Sequence, residues 1–127
     1  MPPPSAILAS AGLDPAVVAG ACGIADVDQV PIRPAPRLMR RLWVGPVWAM
    51  TLPWAIYVDP SRVSDPRLAR IVFHELVHVR QWRQLGAMRF LGRYLADYVR
   101  ARVGGASHEA AYRGIRYEVE ARMIAGV

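Results

Sequence analysis

Residues 66–86 read PRLARIVFHELVHVRQWRQLG, and the spacing of their apolar side chains decides how the chain folds. Leu68, Ile71, Val72, Leu76, Val79 and Trp82 recur at the intervals of one helical face, and Phe73 and Val77 are apolar on the opposite side. Asp65 suits a helix N-cap, Pro66 the first helical position and Gly86 the residue just past the end. The spacing therefore predicts one helix over Pro66 to Leu85. A helix apolar on both sides has to be central and covered by other elements.

The same stretch contains His74-Glu75-Leu76-Val77-His78. Residues four apart lie one turn above each other, so the two imidazoles can reach one metal ion from the same side. Glu75 projects about 100° round from His74, beside the ion, where it can take a proton from water. Two imidazoles leave a catalytic zinc short of a third protein ligand. Asp97, His108, Glu109, Glu118 and Glu120 are the downstream candidates. Glu118 shares a helical side with the small Ala121 and Ala125, which permit close approach to the histidine helix. Glu120 points about 160° away from Glu118, and Asp97 pairs with Arg93 at i,i+4. Spacing prefers Glu118 and leaves His108 as the competitor.

Working outward, strand-like pieces precede the helix at Leu42-Val44, Val47-Leu52 and Trp54-Val58, punctuated by Gly45-Pro46 and Pro53. They predict a small, antiparallel-type sheet with a proline-blunted edge. After it, a second helix over about Met88 to Arg102 puts Leu91, Tyr94, Leu95 and Tyr98 on one face and Arg89, Arg93 and Arg100 on another, stopping at Gly104-Gly105. Ser107 caps a short helix to Arg113, and a last helix runs from beyond Gly114 to about Ala125. The fold class is α+β: a small sheet packed on the buried histidine helix with two or three further helices.

Residues 1–36 are rich in Pro, Ala and Gly, have no arginine before Arg33, and carry two weak helical patches, Ser5 to Ala11 and Ala16 to Ala21. They read as an N-terminal arm, joined through the extended Arg33–Arg37 linker to a domain over 37–127.

The segment from His74 to Trp82, with Tyr117-Glu118-Val119-Glu120-Ala121-Arg122 forty residues past His78, resembles the gluzincin zinc metallopeptidases, especially their minimal single-domain bacterial members. The Glu-x-Glu-Ala element is similar to that of the membrane-linked gluzincin peptidases, in which its first glutamate is the third zinc ligand. The resemblance implies a zincin-like core, Zn2+ held by His74, His78 and Glu118, and Glu75 as general base and acid. It also implies that Ala55, Ile56 and Tyr57 lie on the edge strand where a peptide or protein substrate is bound. Where the family carries an acidic residue after this element, the chain has Arg122. A group orienting the zinc histidines must then come from Glu120, Asp97 or a backbone carbonyl. Tyr112, His108 and Arg113, all placed shortly before the glutamate helix, are the candidates for stabilising the tetrahedral oxyanion, with Tyr112 preferred. Cys22, in Ala-Cys-Gly-Ile-Ala-Asp-Val, is similar to part of the cysteine switch of matrix metalloproteinase propeptides, which makes it a candidate inhibitory thiol.

Composition narrows the field further. A chain of 127 residues with 54% hydrophobic content is too short for two domains and too apolar for wholesale disorder. All sixteen basic residues are arginine and the formal net charge is +6. Nucleic acid is not the expected partner, because the arginines recur along the chain, with one local cluster at Arg33, Arg37, Arg40 and Arg41. The uncharged stretch from Leu42 to Val58 is interrupted by Pro46 and Pro53 and predicts no membrane span. One cysteine and no recognisable leader fit a cytoplasmic setting. The principal alternative to a peptidase is a zinc-binding but inactive module that holds peptides along its sheet edge. A basic nucleic-acid binder stands behind it.

Overall fold

A computed structural model describes residues 1–43 and 47–127. Among the described residues there are seven α-helices and a three-stranded mixed sheet: α1 (Pro4–Ser10), α2 (Pro15–Ala21), β1 (Ile32–Pro34), α3 (Arg37–Leu42), β2 (Ala49–Leu52), β3 (Ala55–Val58), α4 (Leu68–Leu85), α5 (Ala87–Val103), α6 (His108–Arg113) and α7 (Arg116–Ala125). The class is α+β, as the patterning predicts.

The long helix α4 organises the molecule. It starts at Leu68, two residues later than predicted, because the Asp65 carboxylate accepts from Arg67 N at 2.9 Å and holds Pro66-Arg67 in a turn. Gly86, at φ +80°, ends it and opens α5 within a single residue. One side of α4 carries Leu68, Val72, Leu76 and Val79 into a core shared with α1, α2, β1, β3 and the Ala121 and Ala125 face of α7. Beyond His78 a second cluster forms from Trp82, Phe90, Ile115 and Tyr117, with Tyr94 and Tyr98 packed against it. The histidines lie on α4 where these two clusters meet.

Residues 1–36 correct the arm reading. Ile7, Leu8, Val18, Ala19, Cys22, Ile24, Val27 and Val30 are all buried in the first core cluster. The physical reason is the two-sided apolarity of α4, which needs a cover that the small sheet and α7 do not complete. Polar ties fix the segment in place. The Asp28 carboxylate accepts from Ser5 N at 2.9 Å, and Arg80 donates to the Ala21 carbonyl at 3.1 Å.

The sheet order is β1-β3-β2. β2 and β3 form the expected antiparallel pair, Thr51 opposite Ile56, but β1 joins β3 in parallel, Ile32 opposite Ile56. The sheet is therefore mixed, because its third strand arrives from the proline-rich linker and not from the segment just before β2. The strand read at Leu42-Val44 is replaced at Leu42 by the end of α3, and Val44 lies outside the described residues. Asp97 pairs with Arg116 and not with Arg93. Its carboxylate accepts from Arg116 Nη2 at 2.8 Å and from Arg116 N at 3.1 Å, which caps the start of α7. Among the described residues no single helix is long and apolar enough to cross a membrane.

Candidate metal centre

His74 and His78 lie one turn apart on α4 with ring centroids 4.9 Å apart, edge to face. Opposite them α7 brings Glu118, because fully buried Ala121 and Ala125 let the two helices close together. Glu118 Oε2 lies 2.8 Å from His74 Nε2, and Glu118 Oε1 lies 3.1 Å from His78 Nε2. One ligand atom from each of the three residues falls within 4.8 Å of the others. The side chains are 12%, 7% and 3% exposed in the order His74, His78, Glu118. This N,N,O group can hold a metal ion.

The outward nitrogens are held as well. His74 Nδ1 lies 2.6 Å from the main-chain oxygen of Val127, and His78 Nδ1 lies 2.7 Å from Gln81 Oε1. Gln81 cannot flip without loss, since its Nε2 donates to the Tyr117 carbonyl at 3.0 Å and to Glu120 Oε1 at 3.1 Å. Its oxygen is thereby committed to His78. Every nitrogen of both rings thus faces an oxygen acceptor, whereas a neutral imidazole has only one N–H. With that hydrogen on Nδ1, both Nε2 lone pairs point at a carboxylate, a mismatch that either a second proton on a ring or a cation between them resolves. The arrangement fits a metal.

Charge follows the same logic. Burial alone would push His78 down, but the hydrogen bond to Glu118, the nearby Glu75 and Glu118 charges and the Gln81 contact lift it to about 9. Burial would raise Glu118, yet the hydrogen bonds and charges of the two histidines hold its carboxyl well below the usual range. Tyr94 also donates to Glu118 Oε1 at 2.8 Å.

Glu75 stands beside this group and not in it. Its carboxylate accepts from the Thr51 hydroxyl of β2, and both residues are almost fully buried. Glu75, His78, Glu118, Thr51, Tyr94 and Tyr112 line one cavity of about 300 Å³, whose remaining wall is largely apolar. The Tyr112 phenol is held above its ordinary range by desolvation and then by the Glu118 and Glu75 charges, so it faces this cavity as a neutral donor.

The preference for Glu118 over His108 holds here, and several other sequence expectations change. His108 bonds Tyr98 at 2.8 Å and is outside the ligand group, so Glu118 takes the third place. Ala55, Ile56 and Tyr57 are not on an edge. β3 is paired on both sides, Ala55 and Ile56 are fully buried, and the cavity runs along β2. Cys22 is no inhibitory thiol. It is buried in the first core cluster, where desolvation pushes it up to about 11 and keeps it protonated, away from the ligand group. The orienting groups are Gln81, backed by Glu120, and the main-chain oxygen of Val127, whereas Asp97 is engaged by Arg116.

Gln81 was legible in principle, as a polar residue three positions from a ligand on the buried side of the helix. Thr51, Tyr94 and the Val127 oxygen carry no such signal, because each reaches the site through tertiary packing.

Two outcomes follow for metal binding. Gln81→Leu should lower affinity about 10- to 100-fold by titration calorimetry while Glu118 stays in place. Below pH 9 a metal must displace the proton that His78 holds, whereas Glu118 is already ionised. Affinity should therefore rise about tenfold per pH unit from neutrality and level off near 9, and buffers of different ionisation heat should reveal one proton released per ion. The sign for the metal-free fold is opposite. A raised histidine contributes stability fully below 6.5 and loses it as pH rises through about 9.

Compared with protein-family models, with curated proteins and with solved structures, the chain matches none, so the assignment of this centre rests on its own geometry.

Proposed function

We propose that this protein is a zinc-dependent metallopeptidase, with His74, His78 and Glu118 as ligands and Glu75 as the proton-transferring residue. The supporting observation is the Glu75 carboxylate, held by Thr51 in the cavity that His78 and Glu118 also line. Zinc at a site of two histidines and a carboxylate supplies Lewis-acid polarisation and lowers the pKa of water toward ~7. The His74–Glu75–His78 and Glu118–Ala121 elements also resemble those of gluzincins.

Each residue then has a role. Glu75 accepts a proton from the attacking water and returns it to the departing amine. Thr51 fixes the carboxylate by donating to one of its oxygens, which leaves the other for water. Tyr112 donates to the developing oxyanion from the cavity wall. β2 is bonded to β3 alone among the described residues, so its outer edge can take an extended peptide by main-chain pairing along the cavity.

Zinc-loaded protein should cleave a generic peptide mixture. Glu75→Gln should retain zinc by metal analysis and lose about 10²- to 10⁴-fold in rate. An unchanged rate would remove Glu75 from the chemistry. Zinc and peptide binding with no cleavage by the wild type would make the protein a binding module.

A further inference from the structure

Helix α5 has an unusual division of its surface. Of its seventeen residues only Phe90 is buried. At 100° per residue its side chains fall into three sectors. Phe90, Tyr94, Asp97 and Tyr98 turn inward, Phe90 packing 4.5 Å from Trp82 and 5.1 Å from Tyr117 by ring centroids. Met88, Leu91, Leu95, Val99 and Val103 occupy an adjoining arc of about 120°, and they are between 43% and 87% exposed. Arg89, Arg93 and Arg100 fill a third arc of about 40° beyond it. Arg102, inside the apolar arc, turns its guanidinium to the Ala106 carbonyl at 3.4 Å. Asp97, the only acid on the helix, is engaged by Arg116.

A solvated helix face carries polar residues, and a contiguous row of exposed large apolar side chains marks an interaction surface. This row runs from one end of the helix to the other, about 22 Å, as contact with a plane requires. The arginine row beside it, on a chain of net charge +6, makes the complementary plane negative. A second copy fits less well, because antiparallel two-fold pairing through the apolar row would set two arginine rows side by side with no free acid on α5 between them.

We propose that α5 docks the protein onto an anionic lipid surface, with Met88, Leu91, Leu95, Val99 and Val103 entering the headgroup boundary and Arg89, Arg93 and Arg100 meeting the phosphates. Leu91 also lines the cavity that holds Glu75 and His78. Docking through α5 therefore brings that cavity to the headgroup layer. The docking stands whether or not the centre cleaves peptides.

The test is co-sedimentation of the full chain with phosphatidylcholine vesicles that contain phosphatidylglycerol, beside vesicles of phosphatidylcholine alone. Binding is expected to the anionic vesicles and to weaken with salt. Arg93→Gln and Arg100→Gln should each lower partitioning about fivefold. Leu95→Gln combined with Val99→Gln should lower it at least about tenfold with an unchanged melting curve, since both side chains are exposed. The proposal is overturned if the wild type stays in solution with anionic vesicles at low salt, or if the Leu95/Val99 variant binds as the wild type does. It is also overturned if sedimentation equilibrium shows a dimer that this variant dissociates, which would assign the row to a second copy.

Discussion

Glu118→Ala should lower zinc affinity by about two to three orders of magnitude, the share of one ligand in a four-ligand zinc site. Glu118 is the single oxygen donor of the group, and both of its oxygens are already engaged with the histidine nitrogens that would share the ion. The substitution leaves two imidazoles on one helix, a pair with too few donors to hold zinc tightly. It also removes the charge that keeps His78 protonated, so His78 should titrate at lower pH than in the wild type. Competition with a chromophoric chelator measures the first effect, and histidine NMR the second. His108→Ala is the control. Its ring is tied to Tyr98 outside the group, and zinc affinity should stay at the wild-type value. A large loss from His108→Ala, with Glu118→Ala unchanged, would reassign the third ligand.

The second large effect concerns the N-terminal segment. Deleting residues 1–36 should abolish cooperative unfolding and leave no activated form of the protein. Leu8, Val18, Cys22, Val27 and Val30 are each at most 2% exposed. Burying side chains of this size contributes about 1.5–3 kcal/mol each, and a small domain has only about 5–15 kcal/mol of net stability. The deletion also uncovers the side of α4 that packs on α1 and removes β1 from the sheet. A calorimetric scan with no transition, together with loss of the aromatic circular dichroism, is the expected result. A shortened chain that melts like the whole one would show that the segment adds nothing to the core.

These outcomes separate what the sequence discloses from what it conceals. Helical periodicity is a local property, so α4, α5, α6 and α7 could be placed within about two residues from spacing, caps and glycines. The ligand pair His74 and His78 follows from the same periodicity, and Glu118 from the small residues that share its face. Sheet order is not local. The parallel partner of β3 is Ile32–Pro34, a segment whose prolines disguise it as linker, and its arrival turns the supposed edge strand into the central one. The N-terminal segment reads as an arm for a related reason. Its helices are short and weak alone, and their apolar residues acquire meaning only against a helix that needs covering on both sides. Gln81 and Thr51 became part of the site through partners 36 and 24 residues away, Tyr117 and Glu75.

His74 and Glu118 are 44 residues apart in the chain, yet their side chains touch. All of α5 and α6 lies in the loop between them. An ion shared by those two residues would close that loop as a cross-link does, by restricting the unfolded chain. Unlike a disulfide, such a link opens with acid. The arch of α5 and α6 contributes no strand to the sheet, and its anchorage to the rest of the molecule would tighten or slacken with metal supply. Hydrogen exchange along α5 would then read out zinc occupancy at a centre that touches the helix mainly through Tyr94.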